Sequence, residues 1–136
     1  MRIRLLLSAA TAAFLAALVP VVAHHSVAAE FDTNKPVSAT GTLTKVEWRN
    51  PHSWLHIDVK SADGSVVAWQ WELGSPNSLM RRGWRRDDLP IGEVVTVDGY
   101  AAKEGIYKIP TGSTRKIKLP NGKELFDGPP PESGEK

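Results

Sequence analysis

Four histidines, His24, His25, His52 and His56, are the whole imidazole inventory of this 136-residue chain. There is no cysteine, so disulfides, thiolate metal sites and a cysteine nucleophile are all excluded. If processing makes His24 the first residue, its α-amine, with a pKa of ~7.7–8.0, and its ring Nδ1 can chelate one metal together. One further imidazole would complete a three-nitrogen tetragonal site suited to Cu(II), which leads the divalent affinity order. His52 is the best candidate for that ligand because it starts a strand beside Pro51, and His25 is the other. His52 and His56 do not share an ion: residues i and i+4 of a strand lie ~13 Å apart, whereas nitrogens on one ion at ~2 Å bond lengths are ~4 Å apart. In the plain alternative, His24 and His25 sit in an arm and His52 caps a turn.

The remaining candidates are surfaces. Of five tryptophans, Trp69 and Trp71 are in phase with Val67 and Leu73 and read as core. Trp54 and His56, on one strand face with Asp58, could contact a flat ligand, or Trp54 could instead cover a sheet edge. Arg81, Arg82, Arg85 and Arg86 precede Asp87 and Asp88, either as a solvated, partly self-paired face or as a patch for an anion or partner, with Arg81 and Arg82 as its contacts. The Asp58 and Glu72 carboxylates could be neighbours across two strands. No Gly-x-Ser-x-Gly, His-Glu-x-x-His or phosphate loop occurs, so no hydrolase motif is present.

The elements that must position these residues begin after a leader. Met1 to Arg4 is a short positive stretch, Leu5 to Val22 is apolar, and Val21-Val22-Ala23 places small residues for cleavage, so residues 1–23 read as a signal peptide and the protein as periplasmic or secreted. Two of the 17 basic residues, Arg2 and Arg4, lie in that leader; against 15 acidic residues the exported domain is formally neutral. Such a domain lacks the electrostatic footprint of a nucleic-acid binder. No stable membrane anchor remains once the leader is removed, and a metal ion or an envelope protein is the expected kind of partner.

Residues 24–36 read as an extended arm. Val37 to Trp48 is predicted as a first strand, with Gly41 marking a bulge that swaps its buried face. Ser53 to Lys60 alternates cleanly, with Leu55, Ile57 and Val59 inward. Ala62-Asp63-Gly64-Ser65 is a hairpin signal leading to a third strand, Val66 to Leu73. Ser75 caps a short helix with Pro76 at its first position, closed near Gly83. Strands at Val94 to Ala101 and Ser113 to Leu119 follow, and residues 127–136 read as a disordered tail. The order predicts an all-β fold over residues 37–126: a small five-stranded OB-like Greek-key barrel with one short helix between strands three and four.

The runs Gly41-Thr42-Leu43-Thr44-Lys45-Val46-Glu47-Trp48, Asn50-Pro51-His52, Glu72-Leu73-Gly74-Ser75-Pro76-Asn77 and Arg81-Arg82-Gly83-Trp84, after a leader ending Ala-His-His-Ser, resemble domain-of-unknown-function family 6152. The resemblance implies a small exported bacterial protein with a histidine at position 52 and an aromatic residue tolerated at position 56; it implies no activity. The histidine pattern also resembles the N-terminal histidine brace of lytic polysaccharide monooxygenases and periplasmic copper carriers. The expectation is therefore an exported binding module taking Cu(II) through His24, His25 and His52. A copper-dependent oxidase-type enzyme and a metal-free interaction module of the cell envelope are the alternatives.

Overall fold

The computed structural model describes residues 26–128; the expected leader at residues 1–23, His24, His25 and the residues beyond Gly128 lie outside the described residues. The described chain is mostly β. Six strands, β1 (Phe31–Glu47), β2 (Trp54–Lys60), β3 (Val66–Glu72), β4 (Val94–Ala102), β5 (Thr111–Lys118) and β6 (Glu124–Phe126), are accompanied by two short helices, α1 (Val27–Glu30) and α2 (Pro76–Arg81), and a 3-10 turn at Arg86–Asp88. None of the described helices is long and apolar enough to cross a membrane.

The hydrogen-bonded order is β3-β2-β1-β4-β5-β6, and β3 also pairs with β5, so the order returns from β5 to β3. That returning pair is parallel, joining Gln70, Trp71 and Glu72 to Thr111, Gly112 and Ser113; every other pairing is antiparallel. The sequence predicts five strands, and the sixth is the short apolar pair Leu125-Phe126 with Glu124, recruited to the edge of β5 after the Asn121-Gly122 turn. The first strand also starts earlier than Val37: Phe31 is buried and paired with Ala102, so most of the expected arm is strand and helix. Helix α2 is capped as its sequence requires, with Ser75 Oγ accepting from the Ser78 N–H at 3.3 Å and Pro76 in the first turn.

The face swap in β1 is present, displaced by three residues. The register slips between Leu43 and Lys45, where Thr44 is the extra residue and its hydroxyl donates to the His56 carbonyl at 3.1 Å. Before the slip Ala39 and Leu43 are buried; after it Val46 and Trp48 pack against the core. Gly41 serves close approach, since a side chain there would overlap the Asp58 carbonyl.

The core is built on Leu43, Leu55, Ile57, Trp71, Leu73, Leu79, Trp84, Val95, Val97 and Ile117. Burial of an aliphatic side chain of this kind contributes about 1.5–3 kcal/mol. Trp84 is enclosed, with its indole N–H donating to the Phe126 carbonyl at 2.9 Å, which ties the segment after α2 to β6. Two expectations for the core shift: Trp69 is only partly buried, stacked on Trp71 at 5.6 Å, and Val67 is exposed. The hairpin end of β3 runs beyond the body of the core, so phase alone does not bury it.

Gly112 is where the returning pair depends on one absent side chain. A methyl group there would overlap the buried ring of Trp71. Gly112→Ala should therefore cost about 1–3 kcal/mol of stability by overpacking, read as a lower urea midpoint; an unchanged midpoint would contradict this packing of β5 on β3.

Candidate functional site

Two cavities meet at His52 and Glu72, the two residues that line both. The inner cavity, about 420 Å³, also involves Val27, Leu73, Arg82, Tyr100, Thr114 and Asp127. The outer cleft, about 390 Å³, is lined by Glu30, Arg49, Asn50, Pro51, Trp54 and Tyr107 besides the shared pair. His52 stands just after a cis Asn50-Pro51 bond, and Ser53 beside it is pinned to the far end of β3 by Ser53 N–H to Gly74 O at 3.1 Å and Leu73 N–H to Ser53 O at 2.8 Å. The β2–β3 register then places Trp54 opposite Glu72.

His52 Nδ1 lies 3.2 Å from the Leu73 carbonyl oxygen and 3.4 Å from Glu72 Oε1. The imidazole is 41% exposed, whereas the Glu72 side chain is only 11% exposed. Burial pushes the Glu72 carboxyl above its ordinary 4.5; a charged His52 opposes that shift, and the Glu30 and Asp127 carboxylates add to it. Asp127 is also raised above its ordinary 3.8 by burial, although it accepts from Gly74 N–H at 2.7 Å and Arg82 Nη1 at 2.8 Å. Here desolvation outweighs one ion pair and one backbone donor. Arg115 lies over the Tyr100 ring, 5.8 Å from its centroid.

The segment preceding β1 is held against this site by several bonds. The Tyr107 hydroxyl donates to Glu30 Oε2 at 2.7 Å, Lys103 N–H to Glu30 O at 2.9 Å, and Lys103 Nζ to Ala28 O at 2.6 Å. The Tyr107 ring stacks on Phe31 and meets Trp54 edge to face, both at 6.0 Å between centroids. Burial, then the Glu30 carboxylate that accepts its hydrogen bond, hold the Tyr107 hydroxyl well above its ordinary 10. Val27, two residues after His25, consequently stands at the inner cavity.

Residues 12–109 match the family of unknown function DUF6152. The chain belongs to this family. No curated protein matches the chain. Family membership assigns no activity, so the chemistry has to come from the side chains that line the two cavities.

Those side chains divide the sequence candidates. His52 and Arg82 line the inner cavity, and Trp54 faces the outer cleft beside His52. Arg81 ends α2 as an exposed side chain and lines neither cavity. His56 is engaged elsewhere, its Nε2 being 2.8 Å from Glu47 Oε2. Bonded to Lys45 and His56 and flanked by Arg49, Glu47 is held down to about 2. The arginine run is largely committed to structure: Arg82 bonds Asp127, Arg85 bonds the Met80 and Trp84 carbonyls, and Arg86 lies 5.1 Å over Trp48. Asp58 pairs with Ala68 and Glu72 with Trp54, so those two carboxylates are not partners. His24 and His25 lie outside the described residues. Among the described residues, no three His, Asp or Glu side chains converge to hold a metal.

Glu72, Tyr107, Glu30 and Asp127 are the residues that sequence reasoning missed as a site. Glu72 could have been found, because the tight Ala62–Ser65 turn sets the register that places it opposite Trp54. Asp127, the first residue of the segment expected to be a disordered tail, instead ties Gly74, Arg82 and, through its own N–H, the Arg115 carbonyl at 2.9 Å.

The raised Glu72 carboxyl has a readable consequence. The folded protein retains a proton that the unfolded chain releases, so this contribution to stability is full below pH 4.5 and is lost as pH rises through the raised value. Glu72→Gln should make the fall of stability over that window shallower and leave the variant at least as stable as wild type at pH 7. Urea unfolding across pH 4 to 8 checks this, and a steeper fall in the variant would contradict it; Asp127, also raised, contributes a slope of the same sign.

Proposed function

We propose that this is an exported, periplasmic or secreted binding module that takes Cu(II) through its mature N-terminus and His52. The supporting observation is the anchoring of α1: Val27 lines the same cavity as His52, and Glu30 is fastened to Lys103 and Tyr107. Three residues of chain reach at most about 10 Å, so a chain cleaved after Ala23 would begin within about 10 Å of Val27, at the cavity that His52 also lines. His24 would supply its α-amine and ring nitrogen, His52 a third nitrogen, and His25 the alternative donor. That donor set is nitrogenous and suits Cu(II) by softness and geometry.

The same proposal includes the finer architecture. The order β3-β2-β1-β4-β5, with the parallel return from β5 to β3 and α2 between β3 and β4, fits a five-stranded OB-type barrel with β6 as an added edge. In that reading, β1 is the long curved strand that contributes to both halves through the Thr44 bulge. Both cavities then lie at one end of the barrel, beside the junction of β3 and α2.

The carrier reading differs from an oxidase-type enzyme in what it asks of the metal. A carrier binds and releases copper; an oxidase with the same ligands would consume oxygen in the presence of a reductant.

The mature protein, with His24 shown by intact mass to be its first residue, should bind one Cu(II) in a calorimetric titration. An added N-terminal alanine or His52→Ala should each weaken that affinity at least tenfold. Unchanged affinity in the extended protein would remove the chelate, and absence of binding would leave a metal-free interaction module of the envelope.

A further inference from the structure

The geometry points to Glu72 as a positioning residue which, together with the Leu73 carbonyl, fixes His52 in the Nδ1–H tautomer and presents Nε2 as its only binding atom. This deepens the reading of His52 as a ligand and rests on it for the identity of the ion. The tautomer itself does not depend on any metal.

The inference follows from where protons can reside. A backbone carbonyl only accepts, so the 3.2 Å contact between His52 Nδ1 and Leu73 O is a hydrogen bond only if Nδ1 carries the proton. Glu72 Oε1 lies 3.4 Å from the same nitrogen, and once ionised it adds a negative field that favours a proton there. In the neutral ring the lone pair is then on Nε2. Among the described residues no protein group bonds that nitrogen, and the side chain as a whole is 41% exposed. A ligating histidine commonly donates its other ring N–H to a carboxylate or carbonyl, which orients the ring and raises its basicity.

The two partners have different origins. Leu73 O is fixed by the backbone, because the Leu73 N–H is bonded to Ser53 O and Gly74 N–H to Asp127. Glu72 is fixed by the register opposite Trp54 and by the parallel pairing with Ser113. His56 offers the contrast: its Nε2 bonds the Glu47 carboxylate, so the ring nitrogen left over is Nδ1, on the strand side of the ring. The two described histidines are thus held in opposite senses, and of the pair only His52 offers Nε2.

The test uses the ¹⁵N-labelled, metal-free mature protein at pH 8, with long-range proton–nitrogen correlations reporting each ring. His52 should show a protonated Nδ1 and a bare Nε2. Glu72→Leu, which removes both the charge and the oxygen, should raise the share of the other tautomer and weaken Cu(II) binding about 10–100-fold, whereas Glu72→Gln, which removes the charge alone, should fall between wild type and Glu72→Leu. A wild-type His52 protonated on Nε2 would overturn the proposal, as would Glu72→Leu with tautomer and Cu(II) affinity both unchanged. The expected tautomer in a protein that binds no copper would overturn the copper reading while upholding the positioning role of Glu72.

Discussion

The parallel contact between β3 and β5 is the constraint on which both the fold and its cavities depend. Trp71 can lie flat against β5 only because residue 112 has no side chain, and the same three-residue pairing sets Glu72 beside Ser113. Glu72 is thereby taken out of water at the wall between two cavities, where its carboxyl is hard to ionise. A larger residue at 112 would disturb the core, the strand order and the surroundings of His52 together. Stability and site share one close contact.

A second tie works from the other end of the chain. Tyr107, in the loop between β4 and β5, contacts Phe31 and Trp54 with its ring and Glu30 with its hydroxyl. It joins the segment preceding β1 to the start of β2, two residues after His52. Asp127 plays the corresponding role after β6, bonding Gly74 and Arg82. The inner cavity is therefore bordered by residues near both ends of the described chain, held by side-chain bonds that local propensity does not encode.

This explains what could be read in the sequence and what could not. The β2–β3 hairpin, the Ser75 cap and the buried Leu55 and Ile57 follow from local pattern, and the structure has them. The all-β character follows from the same patterns. The outer half of β3 misled, because alternation reports a face without saying how far the core extends along it, and Val67 falls beyond the end. The bulge was legible as a necessity in β1, yet its position at Thr44 is set by pairing with β2. His52 was legible as a strand-start histidine after Asn50-Pro51. Tyr107 and Asp127 were not, since each owes its place to contacts dozens of residues away in sequence; Glu72 stands between, placed opposite Trp54 by the hairpin register and beside Ser113 by the return of β5.

The central claim is that a metal held by the mature N-terminus sits in the cavity lined by Val27, His52 and Glu72. Paramagnetic broadening of amide signals by one equivalent of Cu(II), in protein whose first residue is His24, measures this most directly. The account predicts broadening centred on Val27, His52, Leu73 and Thr114, with the Ala62–Ser65 turn and His56 untouched. Broadening confined to the first few residues, or centred on His56 and Glu47, would contradict it.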